Sequence, residues 1–190
     1  MLACNARSNE AIEKSSDMTE PFISILTEGG KKNSLGRVND VIELTLGEPA
    51  RVNELYIAMF DEDPWVRMRA ADAFEKVCRI KPDLAKPYIN NIQSELDRSQ
   101  QASIQWHIAE IYRQVELDTA QQNHAIRWLC KLLETVDVDW IVAADCMKTL
   151  DHFVARGEFD SAQFKKLLII QTGHKSKAVA KKAHKYLDAI

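Results

Sequence analysis

Glycine and proline are scarce, six and five in 190 residues, about half the usual share. The glycines stand at 29, 30, 36, 47, 157 and 173, so none falls between 48 and 156. Dinucleotide folds and phosphate loops need glycine where the backbone closes on phosphate, and that stretch has none. Tight β-hairpins want glycine as well, which argues against an all-β body. Long apolar runs are also missing. The longest, Leu55–Phe60, is six residues, far short of a membrane span. Cys4, Cys78, Cys130 and Cys146 show no CxxC spacing. His107, His124, His152, His174 and His184 give no HExxH and no pair three or four apart. Spacing therefore points to no metal site and no cofactor. Cys78, Cys130 and Cys146 lie in apolar, helical surroundings and read as small buried hydrophobes kept reduced. Met1-Leu2-Ala3-Cys4 lacks the apolar stretch that precedes a lipoprotein cleavage site, so a cytoplasmic location is expected.

What the chain does contain is alanine, 21 residues of it, the best helix former. With 46% hydrophobic and 28% charged residues and a net charge of −3, the composition is that of an ordinary globular chain. Residues 1–17 read as a polar tail and 18–190 as a single all-α domain. Helical stretches alternate with short breaks and group into five antiparallel pairs, roughly 19–46, 49–79, 82–115, 118–156 and 160–190. Pro87 falls inside the first helix of the third pair, where a bend is expected.

The pairs repeat. Shifting Leu55–Val77 by 38 residues lays Val66 on Ile104, Ala70 on Ile108, Ala73 on Ile111, Phe74 on Tyr112 and Val77 on Val115. A shift of 73 lays Ala70-Ala71-Asp72 on Ala143-Ala144-Asp145, and one of 113 lays Val66 on Val179 and Ala70 on Ala183. Spacings of 38, 35 and 40 are repeat lengths of helical-pair solenoids. In such a helix Asp63 can cap the start, Pro64 suits the first position and Val66 begins the buried stripe.

DEDPWVRMRAADAFEKV, residues 61–77, resembles the second half of a HEAT repeat through Asp61, Asp63, Pro64, Val66, Arg67, Ala70 and Ala73. Residues 176–187 resemble it less closely, and the third and fourth pairs, 82–115 and 118–156, lack the Asp-Pro and the arginine. The resemblance implies a HEAT/armadillo-like α-α superhelix, with Asp61 and Arg67 forming an inter-repeat ladder and the second helices lining a concave face.

On a helical wheel of 101–115 the buried stripe is Ile104, Ile108, Ile111, Tyr112 and Val115. Trp106, Glu110 and Arg113 face the other way, with His107 on the flank. Carried through the repeat register, Asp72, Glu110 and Asp145 form an acidic row ending at Lys185. Met68, Trp106 and Ile141 form an apolar row ending at Lys181. A groove of this kind suits an extended or helical partner bearing cations and a hydrophobic anchor. The plainer alternative is a solvated face whose carboxylates pair with Arg69, Lys76 or Lys148. Trp65, Trp128 and Trp140 read as packing residues between repeats. Residues 157–190 carry a net +4 against −7 for the rest. Lys177, Lys181, Lys182 and Lys185 could meet phosphate, although a polar cap on the last repeat explains them better.

No nucleophile with its base, metal cluster or phosphate loop is visible, so no catalytic residues are assigned. The expected function is a scaffold or adaptor that binds a protein or peptide on the concave face. The alternative comes from alkylpurine DNA glycosylases built of HEAT-like repeats, which use aromatics and an aspartate on that face. Trp106 and Glu110 are similar in kind, but the acidic groove and negative charge oppose duplex binding, so nucleic acid is not favoured.

Overall fold

Aspartates start most of the long helices. Residues 20–31 and 34–190 are described by a computed structural model; the tail expected at 1–17 lies outside the described residues. Asp63 accepts a hydrogen bond from the Trp65 N–H at 2.8 Å, with Pro64 at the first helical position, where its missing N–H costs nothing. Asp118 and Gln121 form a reciprocal capping box, and the carboxylates of Asp139 and Asp160 take the N–H groups of Ile141 and of Ala162 and Gln163.

Ten α-helices and no strand are present among the described residues. They are α1 (Phe22–Thr27), α2 (Val38–Gly47), α3 (Val52–Ala58), α4 (Pro64–Ile80), α5 (Ile89–Glu95), α6 (Ala102–Gln114), α7 (Thr119–Leu133), α8 (Trp140–Ala155), α9 (Ser161–Gln171) and α10 (Lys177–Leu187). The even-numbered helices touch in chain order, α2 with α4, α4 with α6, α6 with α8 and α8 with α10. The odd-numbered ones back them, α3 on α4, α7 on α8 and α9 on α10, while α5, α7 and α9 touch one another in turn. One core runs through both rows. The expected stripe of Ile104, Ile108, Ile111, Tyr112 and Val115 is buried throughout. So are Ala70, Ala73, Ala109, Ala143 and Ala183, whose small side chains let the even-numbered helices approach closely.

The expected bend at Pro87 is corrected to a break. Residues 82–98 form a 3₁₀ turn at Pro82–Leu84, a second at Lys86–Tyr88, the short α5, and a third turn at Leu96–Arg98. Pro82 stands first and Pro87 second in their 3₁₀ turns, since neither can donate a backbone hydrogen bond to a preceding turn. Beyond α8 the chain turns through Gly157 at φ +73°, and the N–H groups of Glu158 and Gly157 return to the carbonyls of Phe153 and Val154.

The loop between α1 and α2 is held by one side chain. Arg69, 3% exposed, donates to the carbonyls of Leu26 (2.6 Å), Glu28 (3.4 Å), Gly29 (3.1 Å), Lys31 (3.3 Å) and Ser34 (2.8 Å). Gly36 completes the fit. Its φ is +53°, and a Cβ there would stand 2.5 Å from the Glu28 oxygen and 3.2 Å from the Arg69 guanidinium carbon.

The Asp61–Arg67 ladder takes a different form. Arg67 donates to the backbone oxygens of Asp61 (2.7 Å) and Glu62 (3.0 Å), and its Nε reaches Gln101 Oε1 (2.9 Å) at the start of α6. Gln101 returns a bond from Nε2 to the Pro64 carbonyl at 2.8 Å. The cross-link between successive helices is therefore Arg67–Gln101, and the Asp61 carboxylate instead accepts the Asp63 N–H. Trp140 departs from expectation too. It is 54% exposed at the first position of α8, not packed between repeats. Trp128 does pack, its indole N–H donating to the Asp97 carbonyl at 2.9 Å and its ring meeting Tyr112 edge-on.

Candidate functional site

The wheel of α6 predicts which residues turn away from the stripe, and α4 and α8 on either side decide what they meet. Asp72, expected in an open acidic row, is buried and accepts from Lys76 Nζ at 2.7 Å, one helical turn on. Glu110 is half-buried, bonded to Arg113 Nη2 at 2.9 Å with Lys148 Nζ at 3.8 Å. Arg113 also reaches Thr149 Oγ1 of α8 at 3.1 Å, and that hydroxyl donates to the Ala109 carbonyl at 2.7 Å. Asp145 is half-buried, and burial together with the Glu110 charge raises its carboxyl above the usual range. The acidic row is thus corrected to a seam in which Asp72 and Glu110 carry cationic partners, as the plainer reading had it for Lys76 and Lys148; Arg69 instead serves the α1–α2 loop.

The apolar row of Met68, Trp106 and Ile141 is half-buried at all three positions. Trp106 and Ile141 rest against the core, so neither points freely outward. The Trp106 indole N–H is buried with no hydrogen-bond partner among the described residues. At the C-terminal end Lys177, Lys181 and Lys185 are exposed, whereas Lys182 turns inward and donates to the Ala144 carbonyl at 3.1 Å, its pKa lowered by burial. Lys182 is therefore a packing residue rather than a phosphate contact.

Glu75, which sequence reasoning passed over, and His107, which it left on the flank without a role, stand at the centre of the seam. Glu75 of α4 is 1% exposed and His107 of α6 is 2% exposed. Glu75 is bound by Arg79 Nη2 at 2.8 Å and by the Gln114 amide. Both ring nitrogens of His107 are buried without a hydrogen bond among the described residues, and Asp72 Oδ1 lies 4.0 Å from Nε2. Burial first, and then the charges of Lys76 and Arg79, hold the imidazole far down, at about 3, so it is neutral at pH 7. The repeat register carried a signal for this. It places Arg69, His107, Val142 and Lys182 in one row, three polar residues and one apolar where a core helix offers apolar ones. Arg69 finds five carbonyls and Lys182 one, but His107 finds none.

A second polar cluster lies at the other edge of α6. Asp97 accepts from the Tyr112 hydroxyl at 2.8 Å and contacts His124 Nε2 at 2.7 Å. Burial raises its carboxyl from 3.8 to about 6, against the opposing pull of Tyr112 and His124. A raised folded-state pKa means that this group contributes its stability below the unfolded value and loses it as pH rises through about 6. Asp97→Asn carries no charge at any pH. The stability of the wild type relative to this variant is expected to fall by about 2 kcal/mol from pH 4 to pH 7. Urea unfolding of both proteins at the two pH values measures it, and a difference independent of pH would contradict it.

No helix among the described residues is long and apolar enough to cross a membrane. Compared with protein-family models, curated proteins and solved structures, the chain matches none.

Proposed function

We propose that this chain is a non-catalytic interaction module of the HEAT-like α-solenoid type, which holds a protein or peptide partner along the face of α4, α6 and α8. The stacking of alternate helices in chain order and the Arg67–Gln101 link between successive repeats support the architecture. One observation supports the binding face. Met68, Trp106 and Ile141, at the same register on three successive helices, are each left partly open beside paired charges. Such a row offers an apolar anchor line with a polar border. The glycosylase reading has less behind it, because Glu110 is already tied to Arg113 and Lys148.

The test is affinity purification with quantitative mass spectrometry, using wild type, Trp106→Ala and Ile141→Lys, each checked for helix content. Proteins enriched by the wild type are expected to fall about tenfold or more with either variant, as for loss of an interface anchor. Equal enrichment by all three would sink the reading.

A further inference from the structure

We propose that Glu75, His107 and Glu110 form a binding site for a divalent transition metal, of which zinc is the best fit. One carboxylate oxygen from each glutamate and one ring nitrogen of His107 lie within 4.8 Å of one another. A cation at the middle of three atoms so spaced would be no more than about 2.8 Å from each, so sub-ångström adjustments of the side chains reach the ~2.0–2.2 Å of zinc–nitrogen and zinc–oxygen bonds. The site draws on two helices. His107 and Glu110 are one turn apart on α6, and Glu75 comes across from α4. No spacing motif in the sequence reveals it.

The acidic pair alone would not carry the inference; His107 does. An imidazole 2% exposed with neither nitrogen bonded among the described residues leaves buried polar atoms without compensation, a costly arrangement unless something supplies a partner. The ring stands beside two carboxylates, and a cation between them would satisfy nitrogen and oxygen together. The donor set is mixed, one nitrogen with two carboxylates, which suits zinc and its transition-metal neighbours rather than the all-oxygen shells of calcium or magnesium. Three protein ligands leave a fourth tetrahedral position open.

The surroundings fit the same role. The Gln114 amide and Arg79 hold Glu75, and Arg113 holds Glu110, as outer contacts orient ligating carboxylates. Asp72 Oδ1 lies 4.0 Å from His107 Nε2, beyond hydrogen-bond distance, and its carboxylate is taken by Lys76. One competing cation is held loosely. Lys148 is about half exposed and 3.8 Å from Glu110, so its ammonium can return to water at little cost, while Arg79 and Arg113 keep one oxygen of each carboxylate. The site shares Glu110 with the border of the proposed partner-binding face, but the proposal does not depend on that reading.

The test uses the full chain, stripped with a chelator and titrated with ZnCl₂ by calorimetry, and with Co²⁺ as a visible-band reporter of coordination. The expected result is one equivalent of zinc bound, with a rise in Tm and a low-symmetry cobalt spectrum. His107→Gln is expected to weaken zinc binding about 100-fold or more, and Glu110→Gln at least tenfold. Glu110 is half-buried, so its variant keeps the test valid if the His107 variant fails to fold. Absence of binding, or zinc affinity within tenfold of wild type in either folded variant, overturns the proposal.

Discussion

Arg69→Leu is expected to destabilise the protein by about 3 kcal/mol or more. Leucine fills much of the same space but donates nothing to the carbonyls of Leu26, Glu28, Gly29, Lys31 and Ser34, all of which now accept from one guanidinium. Hydrogen bonds from a charged donor are the stronger kind, and no helix or sheet partner stands ready to replace them. Arg69→Lys should recover less than half of the loss, because an ammonium cannot span carbonyls arranged for a planar fork. Urea unfolding measures the cost. Faster amide exchange confined to residues 26–31 and 34–36 and the facing end of α4 would locate it. A cost below ~1 kcal/mol would show that α1 and α2 hold the loop without Arg69.

Phe74→Ala should be equally severe, about 3–5 kcal/mol. Phe74 is fully buried on α4, its ring centroid 6.3 Å from that of Tyr56 on α3 and 5.9 Å from that of Tyr88 in the turn before α5. Truncation opens a void where three elements from two successive helix pairs meet, and those elements cannot all close on it at once. Phe74→Leu keeps most of the volume and should recover the larger part of the loss. Thermal denaturation of the two variants separates these outcomes. Similar Tm values for Ala and Leu would mean that shape, not volume, governs the joint.

The buried stripe of α6 was legible because Ile104, Ile108, Ile111 and Val115 recur at helical spacing, and a helix with one apolar face has only one way to bury it. The aspartate caps were legible for a similar reason, since a side-chain oxygen before an apolar run acts within two or three residues. The fragmentation around α5 was less so. A helical wheel continues through Pro82 and Pro87 although the backbone does not. The face of Trp106 and Glu110 was half legible. The wheel gives the direction of a side chain, but α4 and α8 determine how much room remains there. Glu75 and His107, 32 positions apart on different helices, become neighbours through packing alone, and no local pattern encodes that. Trp140 misled for the opposite reason. Its chemistry suggests burial, but the first position of α8 projects beyond the neighbours that would cover it.

The order in which the helices touch has a kinetic corollary. The main helix contacts join elements of the same or the next pair, so no element must wait for a distant part of the chain to arrive. Closing loops of about 40 residues or fewer costs modest entropy, and a chain rich in such contacts folds by short searches. Ordering can begin at whichever pair nucleates first and spread outward like a zip. Loss of one joint would then slow its propagation rather than abolish the start.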